Sequence, residues 1–472
     1  MNKLKRIWRG MRTSFWFVPS LIVAVSMVLA MVFIGVDSTE TDQWLARWPR
    51  FFGAGAAGAR GMLSTIAGSM MTVVGVTFSM VLVTLALASS QYTSRILRNF
   101  MRDRATQVVL GIFAGIFTYC LIVLRTIRSG EEGGFIPTLA VAFGVVLAIS
   151  GISVLIFFIH HIATSIQASS IIASVADETL VAIDRLFPGK LGNESVENDE
   201  GEALLAVEKR NWKAVPARGN GYIQNVDDAT LLRLARQHKT IVRMERGIGE
   251  FVVDGTPLAS LALEGSPAKE IVAILQSAYS IDRHRTLEQD SAFGIRQIVD
   301  MALRALSPGI NDTTTAVMCV DYLTAILSRA ASRAIPSSHR YENGELRVIA
   351  IGPTFANLVA GSFDQIRSSA QGNIAIMLRM LGALQTIASL TADSGRRRTL
   401  GQQVNYIAEL ADRSLESPQE RERFETRLAH VCEALEMKSA SFTGANNGKF
   451  SAFESSGHNA PFRLKTHAPE IR

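Results

Sequence analysis

Cysteine is scarce in this chain. Cys120, Cys319 and Cys432 stand alone among 472 residues. Their number is odd, their spacings are wide and no CxxC pair occurs, which argues against a disulfide framework or a zinc site. Also missing are a Walker loop, an HExxH pair and a GxSxG elbow. No Cys–His pairing or paired-carboxylate arrangement is readable. We therefore expect no enzyme: no catalytic residues, no metal and no cofactor. Charge of one sign does not dominate either. The formal net charge is +6, and much of the excess lies at the N-terminus, which reads as membrane topology and not as a nucleic-acid surface.

The most informative absence is internal. Four apolar runs, at about 15–36, 62–88, 108–124 and 136–159, contain no Asp, Glu, Lys or Arg. A hydrocarbon layer of about 30 Å needs roughly 20 apolar helical residues, so residues 1–165 read as a four-helix transmembrane region. With no charge inside any span, a proton relay or a charged-substrate site within the membrane is disfavoured. The first run is too long for a signal-peptide core, and Pro19 falls in its first turns, where proline is tolerated.

The loops orient the spans. Lys3, Lys5, Arg6, Arg9 and Arg12 precede the first span without an acid, and Arg95, Arg98, Arg102 and Arg104 outnumber Asp103 after the second. The other two loops are balanced. The positive-inside rule then places both termini in the cytoplasm of a bacterial inner membrane, with Trp44 and Trp48 in an outer interfacial belt.

The second run carries an unusual pattern. Steps of four and three connect Gly61, Thr65, Gly68, Thr72, Gly75 and Ser79, continuing to Leu82 and Ala86. That spacing is one helical face. Two causes would produce it. Small residues let helices approach closely in lipid, a theme repeated by Gly111 and Gly115 and by Gly144 and Ala148. Alternatively, the face lines a water-filled path in a homo-oligomer, with hydroxyls toward water or ions.

Beyond the spans the chain reads as a mostly helical α+β cytoplasmic domain. The last span runs on as a helical extension and linker over 166–210; adjacent His160 and His161 cannot share a helix face and read as interfacial packing. Residues 211–265 form a small β-rich module around "GYIQNV", "TIVRMERG" and "GEFVVDGTPL". Its outline resembles a barrel-sandwich hybrid, without the modified-lysine motif of carrier domains. Residues 266–437 read as helical. Within them Arg296, Asp300 and Arg304 form an i, i+4, i+8 charge ladder, a candidate ligand site or structural network. "SPGIND" then breaks the chain at Pro308 and Gly309. Asn311 or Asp312 caps the next helix, whose free N–H groups would suit an anion if the cap left them open. A long helix is expected from Pro353, softened at Ser368, Ser369, Gly372 and Asn373, followed by two more. Residues 438–472 read as a disordered tail.

Four N-terminal spans, "FSMVLVTLALASSQYTSRILRNF", "EQDSAFGIRQIVDMALRALSPGIND" and "TTTAV" together resemble a bacterial family of predicted membrane proteins of unknown function. Thr313 stands where that family's usual "SPGINDP" has proline. The resemblance implies an integral inner-membrane protein and supplies no activity. Two functions fit this reading. One is a homo-oligomeric channel or pore with a cytoplasmic assembly or gating domain, a layout analogous to small-conductance mechanosensitive channels. The alternative is a membrane-tethered binding or regulatory module without conductance. The partners expected are the lipid bilayer, further copies of the chain and an unidentified small ion or ligand.

Overall fold

In the computed structural model the chain is described over residues 16–37, 55–91, 103–128, 135–187 and 210–436, of which residues 87–91 are described by their backbone alone. The basic N-terminal arm, Trp44 and Trp48, most of the 188–210 linker and the tail after 436 lie outside the described residues.

Four helices are long and apolar enough to cross a membrane: α1 (Phe17–Asp37), α2 (Ala56–Gln91), α3 (Arg104–Thr126) and α4 (Thr138–Ser165). The second and third are longer than the apolar runs alone suggest, because helix formation continues into the flanking polar residues. Helix α3 is central: 56 % of its apolar stretch is buried, against 11–17 % for the other three. Glycine makes this possible. A Cβ on Gly111 would lie 2.7 Å from Ile22 Cδ1 and 3.0 Å from Pro19 Cα, and one on Gly115 would collide with the Ser26 hydroxyl. The GxxxG of α3 is thus the seat of α1, as close packing in lipid requires. On α4, Gly144 receives Leu63 of α2, and Gly151 receives Ile116 and Met70. Tyr119 is fully buried among these helices, and its hydroxyl donates to the Ala140 carbonyl at 2.8 Å.

The helix ends are capped across the bundle. Asp37, the last residue of α1, accepts from the Leu139 and Ala140 amides at 3.1 and 2.9 Å. At the same end Arg60 of α2 donates to the Ile127 carbonyl at the close of α3, at 2.7 Å. An anion thus meets an N-terminus and a cation a C-terminus, the sense the helix dipole favours. At the other end Asp103 caps α3 through the Ala105 and Thr106 amides and contacts His161 Nε2 of α4 at 2.8 Å.

The expected continuous extension of the last span is broken. Ile166 and Gln167 leave helical order, and α5 (Ala168–Leu186) begins afresh. Its buried face, including Ile171, Ile172, Val175 and Ile183, joins the core of the C-terminal helices. These are α8 (Ser291–Ala305), α9 (Thr313–Ala331), α10 (Phe355–Ser369), α11 (Ile374–Ser389), α12 (Ser394–Ser414) and α13 (Pro418–Ala434). Gly294 of α8 lets Thr179 of α5 come so close that a Cβ there would overlap its side chain. Arg329 of α9 and Arg333, just past its end, hold Asp184 of α5 at 2.6–2.7 Å. The single helix expected from Pro353 is two helices, α10 and α11. Gly372 takes φ +73° and Asn373 starts α11 as its cap.

A second core forms around two sheets. Strands β1 (Trp212–Pro216), β2 (Gly221–Val226), β3 (Val242–Met244), β4 (Phe251–Val252) and β5 (Pro257–Ala262) fall in the module expected from sequence. Helices α6 (Asp228–Gln237) and α7 (Lys269–Ser277) accompany them. The sheets also take up β6 (Tyr279–Asp282), β7 (His339–Glu342) and β8 (Glu345–Ile349), from a stretch expected to be helical. The orders are β1-β5-β3-β8-β7 and β4-β2-β6, with β3 and β8 parallel. A parallel pair and two helices replace the barrel-sandwich outline. The β7–β8 hairpin turns on Asn343 and Gly344, both with positive φ, the signature of a type I′ turn.

Candidate functional site

Helix α2 presents two opposite faces. Ala59, Leu63, Ala67, Met70, Thr77 and Thr84 are buried against the rest of the bundle. Gly61, Gly68 and Gly75 sit two residues away from members of that series, about 200° around the helix at 100° per residue. The structure accordingly leaves Gly61, Thr65, Gly68, Thr72, Gly75 and Ser79 all exposed. No described atom lies within 4 Å of a Cβ placed on any of the three glycines. Ser64 and Ser69 are exposed beside them and widen the small-residue face. Hydroxyls on this face turn back on the helix: Thr65 donates to the Gly61 carbonyl at 2.8 Å, Ser69 to Thr65 at 2.8 Å and Thr72 to Gly68 at 3.1 Å. Their protons are therefore satisfied without water, while their lone pairs still face outward.

Helix α2 also exposes Met71, Val76, Phe78 and Leu82, but on α1 and α4 large side chains dominate the exposed surface. Leu21, Val25, Val28 and Met31 cover α1, and Ile149, Ile152, Ile156 and Phe157 cover α4. The glycines of α3 and α4 receive side chains from within the chain, whereas among the described residues none reaches those of α2.

The charge ladder of α8 is divided by the fold. Arg296 pairs with Asp300 at 2.8 Å. Arg304 is exposed in the last turn, where a cation complements the helix dipole. The "SPGIND" turn is a compact reversal. The Ile310 and Asn311 amides donate to the Ser307 carbonyl, and Asp312 donates back to Ala305 at 2.8 Å. Asn311 takes φ +50° with its side chain exposed. Of the two cap candidates, Asp312 serves: it accepts from the Thr315 amide at 3.0 Å and the Thr315 hydroxyl at 2.5 Å. These bonds, the hydroxyl's first, hold the Asp312 carboxyl below its usual range. The start of α9 is thus filled by its own carboxylate. Thr313 accepts from Asn373 Nδ2 at 3.1 Å, tying the start of α9 to the start of α11.

The sequence reading overlooked Arg285. Its guanidinium makes two bonds to Asp290, which is 5 % exposed and caps α8 through the Phe293 amide. Arg285 and Arg296 line a cleft of about 350 Å³ between α8 and α10, along with Asn357, Gly361, Asp364 and Gln365. The ladder residues Asp300, Arg304, Asn311 and Asp312 are not among its lining residues.

A family of predicted membrane proteins, DUF2254, matches residues 12–386, which include all four spans, both sheets and the "SPGIND" turn. The chain belongs to this family. Over 447 residues it is 32 % identical to the uncharacterised proteins Rv1290c of Mycobacterium tuberculosis and Mb1321c of Mycobacterium bovis. The likeness covers 92 % of this chain and 83 % of each relative. No solved structure matches it. Helices α12 and α13 lie beyond the family match, so the family portion ends within the helical core, in α11.

Proposed function

We propose that this family member is a non-enzymatic, homo-oligomeric channel of the bacterial inner membrane. In it the small-residue face of α2 meets neighbouring copies around a central path. The C-terminal region lies in the cytoplasm and serves assembly and gating. The observation that carries this reading is the vacancy at Gly61, Gly68 and Gly75, on a helix whose opposite face is fully employed. Exposed glycine and serine gain nothing from contact with acyl chains. A helix that met only lipid there would be better served by the large side chains found on α1 and α4. The excess of Lys and Arg before α1 and between α2 and α3 supports cytoplasmic termini.

A second reading has its own support. The i−4 bonds of Thr65, Ser69 and Thr72 satisfy those hydroxyls in a dry setting. Helix association without a water path, in a membrane-tethered binding or regulatory module, suits them as well. One experiment separates the two. Purified protein is reconstituted in liposomes loaded with a fluorescent ion indicator, and its oligomeric state in detergent is measured by native mass spectrometry. The channel reading expects an oligomer, ion flux and a change in flux in Gly75→Leu. An oligomer without flux, weakened by Gly75→Leu, favours the tethered module. A monomer in both detergent and nanodiscs refutes both.

A further inference from the structure

The cleft between α8 and α10 carries an inference independent of the membrane function. We propose that it is a binding site for a small amphipathic organic anion: a phosphate or carboxylate group on a short apolar body.

Two arginines supply the anion-binding side. Arg285 is held from behind by Asp290, with Nε to Oδ2 at 2.8 Å and Nη2 to Oδ1 at 3.0 Å. Asp290 is itself fixed by burial and by capping α8. Arg285 also lies over the Phe293 ring at 5.1 Å. Arg296 forms an i, i+4 ion pair with Asp300, Nε to Oδ1 at 2.8 Å. A guanidinium has five N–H donors. Among the described residues, Nη1 of Arg285 and both Nη groups of Arg296 make no hydrogen bond. Each arginine is thus oriented by a carboxylate while keeping donors for a planar or tetrahedral oxyanion, the group that arginine binds with matched geometry. The acid that lines the cleft, Asp364, is already engaged. It accepts from Gln403 Nε2 at 2.9 Å and meets Arg367 at 3.5 Å. Asn357 and Gln365 add neutral amide groups.

The apolar side is made of Ala292, Ile295, Leu358 and Ala360. Gly361 is the decisive residue. It stands inside α10, where glycine costs about 1 kcal/mol relative to alanine. At Gly294 and Gly382 of the same helical core, a neighbouring Thr179 or Arg427 side chain occupies the space a Cβ would need. A Cβ on Gly361 would meet no described neighbour within 4 Å. Packing does not account for it, but an open cleft does, because any larger side chain there would enter the space that a ligand needs. A volume of about 350 Å³ lies at the small end of the range for ligand pockets, roughly 300–1,000 Å³.

The test uses the full-length protein in detergent, with phenyl phosphate and benzoate as probes and inorganic phosphate as the head group alone. Binding is read by isothermal titration and by the thermal midpoint. The proposal expects saturable binding of at least one aryl anion, tighter than inorganic phosphate by about tenfold or more, since burying apolar atoms adds roughly 25 cal/mol per Å². Gly361→Leu should abolish binding while leaving the unliganded midpoint close to wild type, because the added side chain enters open space. Arg296→Gln, at a partly exposed position, should weaken binding about tenfold and serves if the leucine variant fails to fold. Absence of saturable binding by either aryl anion overturns the proposal. So does binding that survives Arg296→Gln and Gly361→Leu undiminished.

Discussion

Arg396 of α12 offers the sharpest test of how the C-terminal helices are held together. It is 9 % exposed, and among the described residues no carboxylate is bonded to its guanidinium. Instead Nη1 donates to the Ala330 and Ala331 carbonyls at 3.1 and 2.7 Å, and Nη2 donates to Arg333 at 2.9 Å. The Ala330 and Ala331 carbonyls lie in the last turn of α9 and the Arg333 carbonyl two residues beyond it, so the guanidinium gives each a side-chain donor where the helix ends. The guanidinium also lies over the Phe355 ring at 5.2 Å, so one side chain links α12, α9 and α10. Hydrogen bonds to charged groups are worth about 1.5–3 kcal/mol each. The desolvation of a buried cation offsets much of the sum. Breaking such a buried charged network typically costs about 3–5 kcal/mol. Arg396→Met keeps the stem and removes the donors, and we expect a loss of about 3 kcal/mol. At roughly 2–4 °C per kcal/mol for a domain of this size, the thermal midpoint should fall by about 6–12 °C. Arg396→Lys keeps the charge but not the fork and should lie between. Arg397→Met is the control, because among the described residues the Arg397 side chain reaches the Ala434 carbonyl and an exposed Glu436. The assay is far-UV circular dichroism of the full chain in detergent at one scan rate. A fall of less than about 2 °C for the methionine variant, or one no larger than the control's, would refute the reasoning.

Three further outcomes follow from named contacts. Asp37→Ala removes the cap that α1 lends to α4; with about 1 kcal/mol at stake, hydrogen exchange at the Leu139 and Ala140 amides should quicken about fivefold, and unchanged exchange would contradict the cap. Asp184 titrates below the usual carboxylate range, chiefly through its bond from Arg329. Its contribution is therefore complete above the unfolded value of about 3.9 and is lost as pH falls through the lower folded value. Asp184→Asn should flatten the acid limb of stability, weakly in high salt because the pair is exposed; an identical acid limb in both proteins would count against it. Burial pushes the Cys319 thiol up to about 12, so N-ethylmaleimide at about pH 8 should modify it only on unfolding. Labelling of Cys319 ahead of the unfolding transition would show that the thiol is accessible.

Much of the architecture is legible in one dimension because its causes are local. Four uninterrupted apolar runs dictate four helices and Asp312 before three threonines dictates a cap, while Gly372 and Asn373 show a soft point in an expected single helix but not that it splits into α10 and α11. What escapes is set by distance. Asp37 caps a helix 102 residues away and Arg60 one 67 residues away, and no local pattern announces either. The helical reading of 266–437 passes over the Asn343–Gly344 turn, and nothing local announces that β8 would run parallel to β3. The break at Ile166 and Gln167 has no glycine or proline to signal it. The small-residue face of α2 was readable as a face. That its glycines stay vacant while those of α3 and α4 are filled depends on packing. Arg285 was hidden because its role depends on a buried acid and on a helix seventy residues further on.

The break between α4 and α5 bears on how the protein can be dissected. Helix α5 is joined to the bundle in sequence, but its apolar face is part of the C-terminal core. A water-soluble fragment cut at the linker, starting near residue 210, would leave an empty trough where Ile171, Ile172, Val175 and Ile183 belong, each worth about 1.5–3 kcal/mol on burial. Trimming at Ala168 keeps that wedge in place and discards only the four hydrophobic helices. The strands cannot be excised separately either, since β7 and β8 arrive from between α9 and α10.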